Sequence, residues 1–293
     1  MLKSPSFARK PGVAILAALA LSSALPALAD KTPFPPQMAA LTAAGWGAQG
    51  TFTVGESVGG YTPPGILDGM YAWNLADISG DANDANTVRV MVNHELSSSR
   101  GYSYSLVTGA SLTGARVSYF DIDRDSRAVV AAGLGYNAIY NRKGRLVYGL
   151  SDFLVAGGND VNSDGGLNRL CSANGVRAGE YGFVDDIFFT GEETGGGTEW
   201  ALDVKRGELW AVPAMGRAAW ESVAAIDPPD DNHVALLIGD DRGGAPLLLY
   251  VGEKNAVGNG SFLDRNGLAR GKLYAWAPGD ASSPEEFNGT GNS

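Results

Sequence analysis

From residue 87 onward the chain is a series of short apolar and aromatic runs, each closed by a cluster of Gly, Asn, Asp or Pro. The runs are "TVRVMVNHE", "ARVSYFDID", "RAVVAAGLG", "RLVYGL", "YGFVDDIFFTGEE", "EWALDVKRGELWAVPA", "HVALLIGDD", "PLLLYVGEK" and "KLYAWAP". Runs of this length, bounded by turn-forming residues, read as strands. Helical periodicity is scarce; "PQMAALTAAGW" (36–46) is the one short candidate. Many short strands joined by Gly-rich turns predict an all-β fold of the sandwich, barrel or propeller kind. Two features favour a β-propeller. "TEWALDVKRGELWAVP" reads as an adjacent hairpin, and acidic or Gly-rich residues recur at strand ends, where propellers gather their loops. No repeat of fixed period is visible. The chain leaves its last strand and stops in the polar stretch "GDASSPEEFNGTGNS", so an incomplete propeller, open at its C-terminal side, is expected.

The first 29 residues have a different character. Lys3, Arg9 and Lys10 precede the apolar stretch "GVAILAALALSSALPALA", and Ala27-Leu28-Ala29 fits a small-x-small cleavage site. This is the plan of a secretory signal peptide. Ser22, Ser23 and Pro26 interrupt the stretch, which argues against a membrane anchor, and "ARKPG" lacks a twin arginine, which favours the Sec route. A periplasmic or secreted domain over residues 30–293 is therefore expected, with no stable membrane span after cleavage. The whole chain has a formal charge of −10; without residues 1–29 it carries 19 Lys+Arg against 32 Asp+Glu, or −13. So acidic a surface repels phosphate backbones and excludes nucleic acid as a partner. It suits a protein that holds cations, although solubility alone would also explain it. A monomer is expected.

Cys171 is the single cysteine and has no intramolecular disulfide partner. In an oxidising compartment a lone thiol is at risk unless it is buried or bound. Histidine occurs only at His94 and His233, so a zinc site built on several imidazoles or thiolates is excluded. Any rich metal site must be mostly oxygen. The acids at strand ends are Glu95 in "VNHEL", Glu192 and Glu193 in "TGEET", Glu221 in "RAAWES", and Asp240 and Asp241 in "IGDDR". Hard cations such as calcium and ferric iron take such ligands. Adjacent acids repel unless they are solvated or share a cation, and the sequence leaves both readings open.

Two further motifs carry less. "DVNSDGG" places Asp160, Asn162 and Asp164 at alternate positions before Gly165, like the first half of a calcium loop; its twelfth position is Cys171 where an EF-hand needs Glu. "GESVG" matches a nucleophile elbow around Ser57, but "VGGYTPPG" follows and forbids the required helix.

Taken in order, "PPGILDGMYAW", "VMVNHEL", "LNRLCSANG", "TGEE", "GRAAWES", "LIGDD", "LYVGEK" and "GLARGKLYAW" resemble the secreted PhoX-type alkaline phosphatases over most of residues 60–276. The resemblance implies a β-propeller phosphomonoesterase with an iron–calcium cofactor, Fe3+ and Ca2+, acting on small phosphate monoesters. It places Cys171 on the thiolate ligand of iron and Glu95, Glu192, Glu193 and Glu221 among the carboxylates, with Asp68, Asp240 and Asp241 as further candidates. Glu193 and Arg217 are the expected catalytic residues. Members of that family continue beyond this length, so the chain is expected to be an N-terminal portion. A non-enzymatic, calcium-stabilised binding module and a calcium-dependent phosphotriesterase or lactonase are the alternatives.

Overall fold

A computed structural model describes residues 31–34, 48–153, 166–228 and 230–276. The signal-peptide segment, the helix candidate at 36–46, the Asp160–Gly165 loop and the tail after Trp276 lie outside the described residues. The chain divides after Gly50. In the first unit the Lys31 amide donates to the Gly50 carbonyl at 2.7 Å. Everything below concerns the second unit, which begins at Thr51.

The described residues of that unit are mostly β-strand with few helices, consistent with an all-β fold, and form three main sheets. The first contains β1 (Leu67–Asn74), β2 (Thr87–His94), β5 (Arg116–Asp123) and β6 (Val129–Leu134), antiparallel in the order β1-β2-β5-β6. A small ribbon of β3 (Tyr104–Ser105) and β4 (Ser111–Leu112) sits between β2 and β5 in sequence. The second sheet runs β8 (Leu170–Val176), β9 (Ile187–Glu192), β10 (Glu199–Asp203) and β11 (Glu208–Ala211), with β7 (Ala138–Tyr140) added parallel to β11. The third runs β12 (Trp220–Ile226), β13 (His233–Asp240), β14 (Leu248–Glu253) and β15 (Gly271–Ala275). Each of the last two is a meander, as the turn-punctuated sequence predicts. "RLVYGL" is the exception: beyond one bridge from Leu146 to Tyr140 it makes no strand.

Two short helices were not legible as helices. α1 (Leu75–Ser79) starts where the Asn74 side chain accepts the Ala76 amide at 3.0 Å and stops at Gly80, whose φ of 74° ends the turn. α2 (Phe262–Arg265) is a single turn capped by Ser261.

The sheets stack through their alternating faces, with the first strands side by side: β1 against β8, and β8 against β12. Between the first and second sheets Tyr71, Trp73 and Met91 meet Phe188, Trp200 and Leu202. Between the second and third, Val176 and Phe189 meet Val223, Leu236 and Tyr250. Strict alternation along β9 sends Phe188 to one core and Phe189 to the other. Each such large side chain contributes roughly 1.5–3 kcal/mol on burial, so the two cores hold the three sheets together.

Candidate metal centre

Each first strand begins with a bulge. Its register slips between Leu67 and Met70 in β1, Leu170 and Ala173 in β8, and Trp220 and Val223 in β12. A bulge re-aims the side chains it contains. The second residue of each strand is therefore the one turned to the open end: Asp68, Cys171 and Glu221. Beside each stands the residue that follows the neighbouring second strand: Glu95 after β2, Glu193 after β9 and Asp241 after β13. Their backbone amides are held identically. Glu95 donates to the Ile66 carbonyl at 2.9 Å, Glu193 to Arg169 at 2.9 Å and Asp241 to Ala219 at 2.8 Å. Three sheets thus repeat one local construction, which no fixed sequence period reveals.

The residue before each of those acids secures the chain entering the first strand. His94 Nδ1 lies 3.1 Å from the Gly65 carbonyl, Glu192 Oε1 accepts the Asn168 amide at 2.9 Å, and Asp240 Oδ1 accepts the Ala219 amide at 3.1 Å. Glu192 is fully buried, and its other oxygen accepts the Thr198 amide at 3.1 Å. Asp240 is also paired with Arg242 at 2.6 Å. The carboxylates of Glu192 and Asp240, both expected among the metal carboxylates, thus have backbone amides as partners. The reason is strand alternation: in each acidic pair one side chain faces the core side and its neighbour faces out.

Five of the remaining candidates come together in two groups. Asp68, Glu95 and Cys171 form one and Cys171, Glu193 and Glu221 the other; within each, one donor atom from every residue lies within 4.8 Å of the others. Cys171 belongs to both, and its thiol donates to Asp68 Oδ2 at 3.5 Å. Asp241 is exposed and hydrogen-bonds to Glu193. Arg217 lies on the segment entering β12 and is half-buried, outside both groups.

Arg169 and Asn93 are not among the expected site residues, yet both shape the site. The Arg169 guanidinium reaches Glu95 at 2.7 Å and Glu193 at 3.1 Å, joining the first two sheets. Its backbone is left-handed, with φ 49°, and so is that of Ile66 at the matching place before β1, with φ 52°. Asn93 Nδ2 donates to the carbonyls of Cys171 at 2.7 Å and Ser172 at 3.1 Å, pinning the bulge that presents the thiol. Ser172 Oγ donates onward to the Glu221 carbonyl. On the other side, a Cβ on Gly69 would run into the backbone of Ala173, so β1 and β8 approach this closely only with glycine there. Asn93 in "VNHEL" and Arg169 in "LNRLCSANG" each stand two places before Glu95 and Cys171, and that spacing is the signal the sequence offers.

The charges at this end oppose one another. Burial pushes the Cys171 thiol pKa far up, and the carboxylates of Glu193, Asp68 and Glu221 add to the shift. Burial also raises Glu95, with Glu193 and Asp68 adding to it against Arg169. Glu221 is raised by burial and then by the charge of Glu193. Burial opposes ionisation of Glu193, but hydrogen bonds from Cys171, Asp241 and Arg169 outweigh it and hold its pKa below the usual value. One guanidinium cannot offset this set of acids. The donors fit a cation: oxygen and sulfur atoms converge from three sheets, and their ionised forms are disfavoured by one another.

No protein-family model matches this chain, and no curated protein matches it. Among solved structures it is similar to Pseudomonas fluorescens PhoX in complex with vanadate, a transition state analogue. That likeness has a TM-score of 0.45 and 14% sequence identity, and it covers 71% of this chain. The chain spans 45% of the length of that protein.

No helix among the described residues is long and apolar enough to cross a membrane.

Proposed function

We propose that this chain is part of a secreted or periplasmic phosphomonoesterase, built as an incomplete β-propeller, that holds a mixed iron–calcium centre and releases phosphate from small monoesters. The observation that carries the reading is the Cys171 thiol shared between two carboxylate groups, Asp68 with Glu95 and Glu193 with Glu221. A soft sulfur among hard oxygens suits iron, whereas positions with oxygen alone suit calcium. Cys171, Asp68, Glu95, Glu193 and Glu221 would hold the metals. When bound, such cations supply Lewis acidity toward phosphoryl oxygens and offset a field that would otherwise repel a dianionic ester.

The chain's own residues do the positioning. Hydrogen bonds from Cys171, Asp241 and Arg169 favour the ionised form of Glu193 against its burial, and Arg169 also pairs with Glu95. Asn93 and Ser172 hold the bulge backbone, so the thiol does not drift as charge builds up beside it. Asp241 shares a hydrogen bond with Glu193 and can hold a proton there. Arg217 is proposed to add positive charge toward the ester from the segment entering β12.

The test is the iron and calcium content of the purified protein beside that of Cys171→Ser, with hydrolysis of a phosphate monoester, a triester and a lactone. Iron and calcium in the parent, iron lost in the variant, and monoester cleavage are the expected results. Calcium alone in both proteins would replace this reading by the calcium-stabilised binding module. Cleavage of the triester or lactone alone would move the chemistry to that class.

A further inference from the structure

Arg169 joins the two donor groups. Its Nη2 lies 2.7 Å from Glu95 and 3.1 Å from Glu193, and its Nε donates to the Glu193 carbonyl at 3.0 Å. Glu95 belongs to the group with Asp68, Glu193 to the group with Glu221, and Cys171 is common to both. A guanidinium carries five N–H donors in one rigid plane. These contacts engage the edge formed by Nε and Nη2. Among the described residues no hydrogen bond engages the two N–H groups of Nη1, and the side chain is 44% exposed.

The orientation is held by the backbone as well. The Arg169 amide donates to the Leu96 carbonyl at 2.8 Å, and its carbonyl accepts the Glu193 amide at 2.9 Å. Main chain and side chain thus span the same two sheets. At the matching places in the other sheets stand Ile66 and Ala219, neither of which carries a charge. The other arginine close to an acidic pair, Arg242, places both Nε and Nη2 on Asp240, which belongs to neither group.

We propose that Arg169 contacts the substrate: its Nη1 donates to the non-bridging oxygens of the phosphoryl group while Nε and Nη2 stay on Glu193 and Glu95. The inference rests on the phosphomonoesterase reading and adds to it a residue that recognises the phosphoryl end of the ester. Each carboxylate has two oxygens, so a cation and the guanidinium can share it. An anion that bridges cations in the two groups meets Arg169 at the boundary between them. Because one edge of the fork is already pinned, little side-chain freedom is lost when the other edge takes up phosphate.

Calorimetric titration of inorganic phosphate into the metal-loaded chain tests it, for the parent, Arg169→Lys and Arg169→Met, with iron and calcium content measured on each sample. Lysine keeps a charge beside Glu95 and Glu193 but has no planar fork, so Arg169→Lys should hold the parent's metal and bind phosphate roughly tenfold more weakly. Arg169→Met should bind it roughly 10–100-fold more weakly. Equal phosphate affinity in all three at equal metal content would overturn the contact and leave the phosphatase reading standing. Affinity lost only in step with metal, in both variants, would make Arg169 a structural bridge and would also overturn the contact. A parent that takes up no metal, or takes it up and neither binds phosphate nor cleaves a monoester, would overturn the phosphomonoesterase reading itself, and the contact with it.

Discussion

Glu199→Gln should make this protein more stable as the pH rises, and almost equally stable in acid. Glu199 opens β10, is completely buried, and neither carboxyl oxygen has a hydrogen-bond partner among the described residues. Burial, and then the charge of Glu192, hold its pKa well above the ordinary 4.5. The fold therefore retains a proton that the unfolded chain loses. Stability from this group is complete below pH 4.5 and declines as pH rises toward the folded-state value. While Glu199 stays protonated in the fold, the loss is about 1.4 kcal/mol per pH unit. Over one pH unit that is a shift of about 3–6 °C for a chain of this size. Glutamine has nearly the same shape and no proton to lose. Thermal melts of parent and variant, followed by circular dichroism from pH 4 to pH 8, should nearly coincide in acid and diverge steadily above it. Parallel melts across the range would refute the reasoning, because they would mean that Glu199 is stabilised as an ion.

Two further outcomes follow from the charges around the thiol. Arg169→Met removes the cation between Glu95 and Glu193; these partly exposed pairs are worth roughly 0.2–1 kcal/mol each, so urea unfolding of the chelated protein should shift to lower concentration. Added iron and calcium should narrow the gap between parent and variant, since bound cations would then do the neutralising. Because burial and the carboxylates of Glu193, Asp68 and Glu221 raise the Cys171 pKa, iodoacetamide should modify the chelated protein at pH 8.5 far more slowly than the urea-unfolded chain. Equal rates would show that the thiol is not held protonated.

Most of the sheet architecture was legible in the sequence, and the part that escaped is informative. β2, β5, β9, β10, β11, β13 and β14 all fall within the expected runs because their alternating or continuous apolar residues lie between turn signals. The three first strands were not read as strands. "LDGMYAWN", "LCSANGV" and "WESVAAI" each carry a small or polar residue at the bulge, which breaks the period-two pattern. The residues that spoil the strand signal are those that face the open end. Acids at strand ends could be seen as candidates, but not which of each adjacent pair points outward. That depends on strand register, which separates Glu193 from Glu192 and is fixed by cross-strand pairing.

The repeated construction makes a paired prediction possible, because Gly191 and Gly239 occupy the same place, two residues before Glu193 and Asp241. A Cβ on Gly191 would collide with Trp220 Cβ and stand 2.8 Å from the Trp220 carbonyl and 2.7 Å from Glu199 Oε2. None of these can withdraw easily: the tryptophan is buried in the second core and its carbonyl belongs to a backbone held in β12. Gly191→Ala should therefore cost about 1–3 kcal/mol through overpacking, read as a lower urea midpoint with unchanged slope. At Gly239 the nearest atom to an added Cβ is Ser222 N at 3.6 Å, which is ordinary contact within its own sheet. Gly239→Ala should leave the fold of the single chain within about 0.5 kcal/mol of the parent. Equal loss of folding stability at both positions would mean that the third sheet is covered as closely as the second, and the contrast drawn from the contact distances would fall.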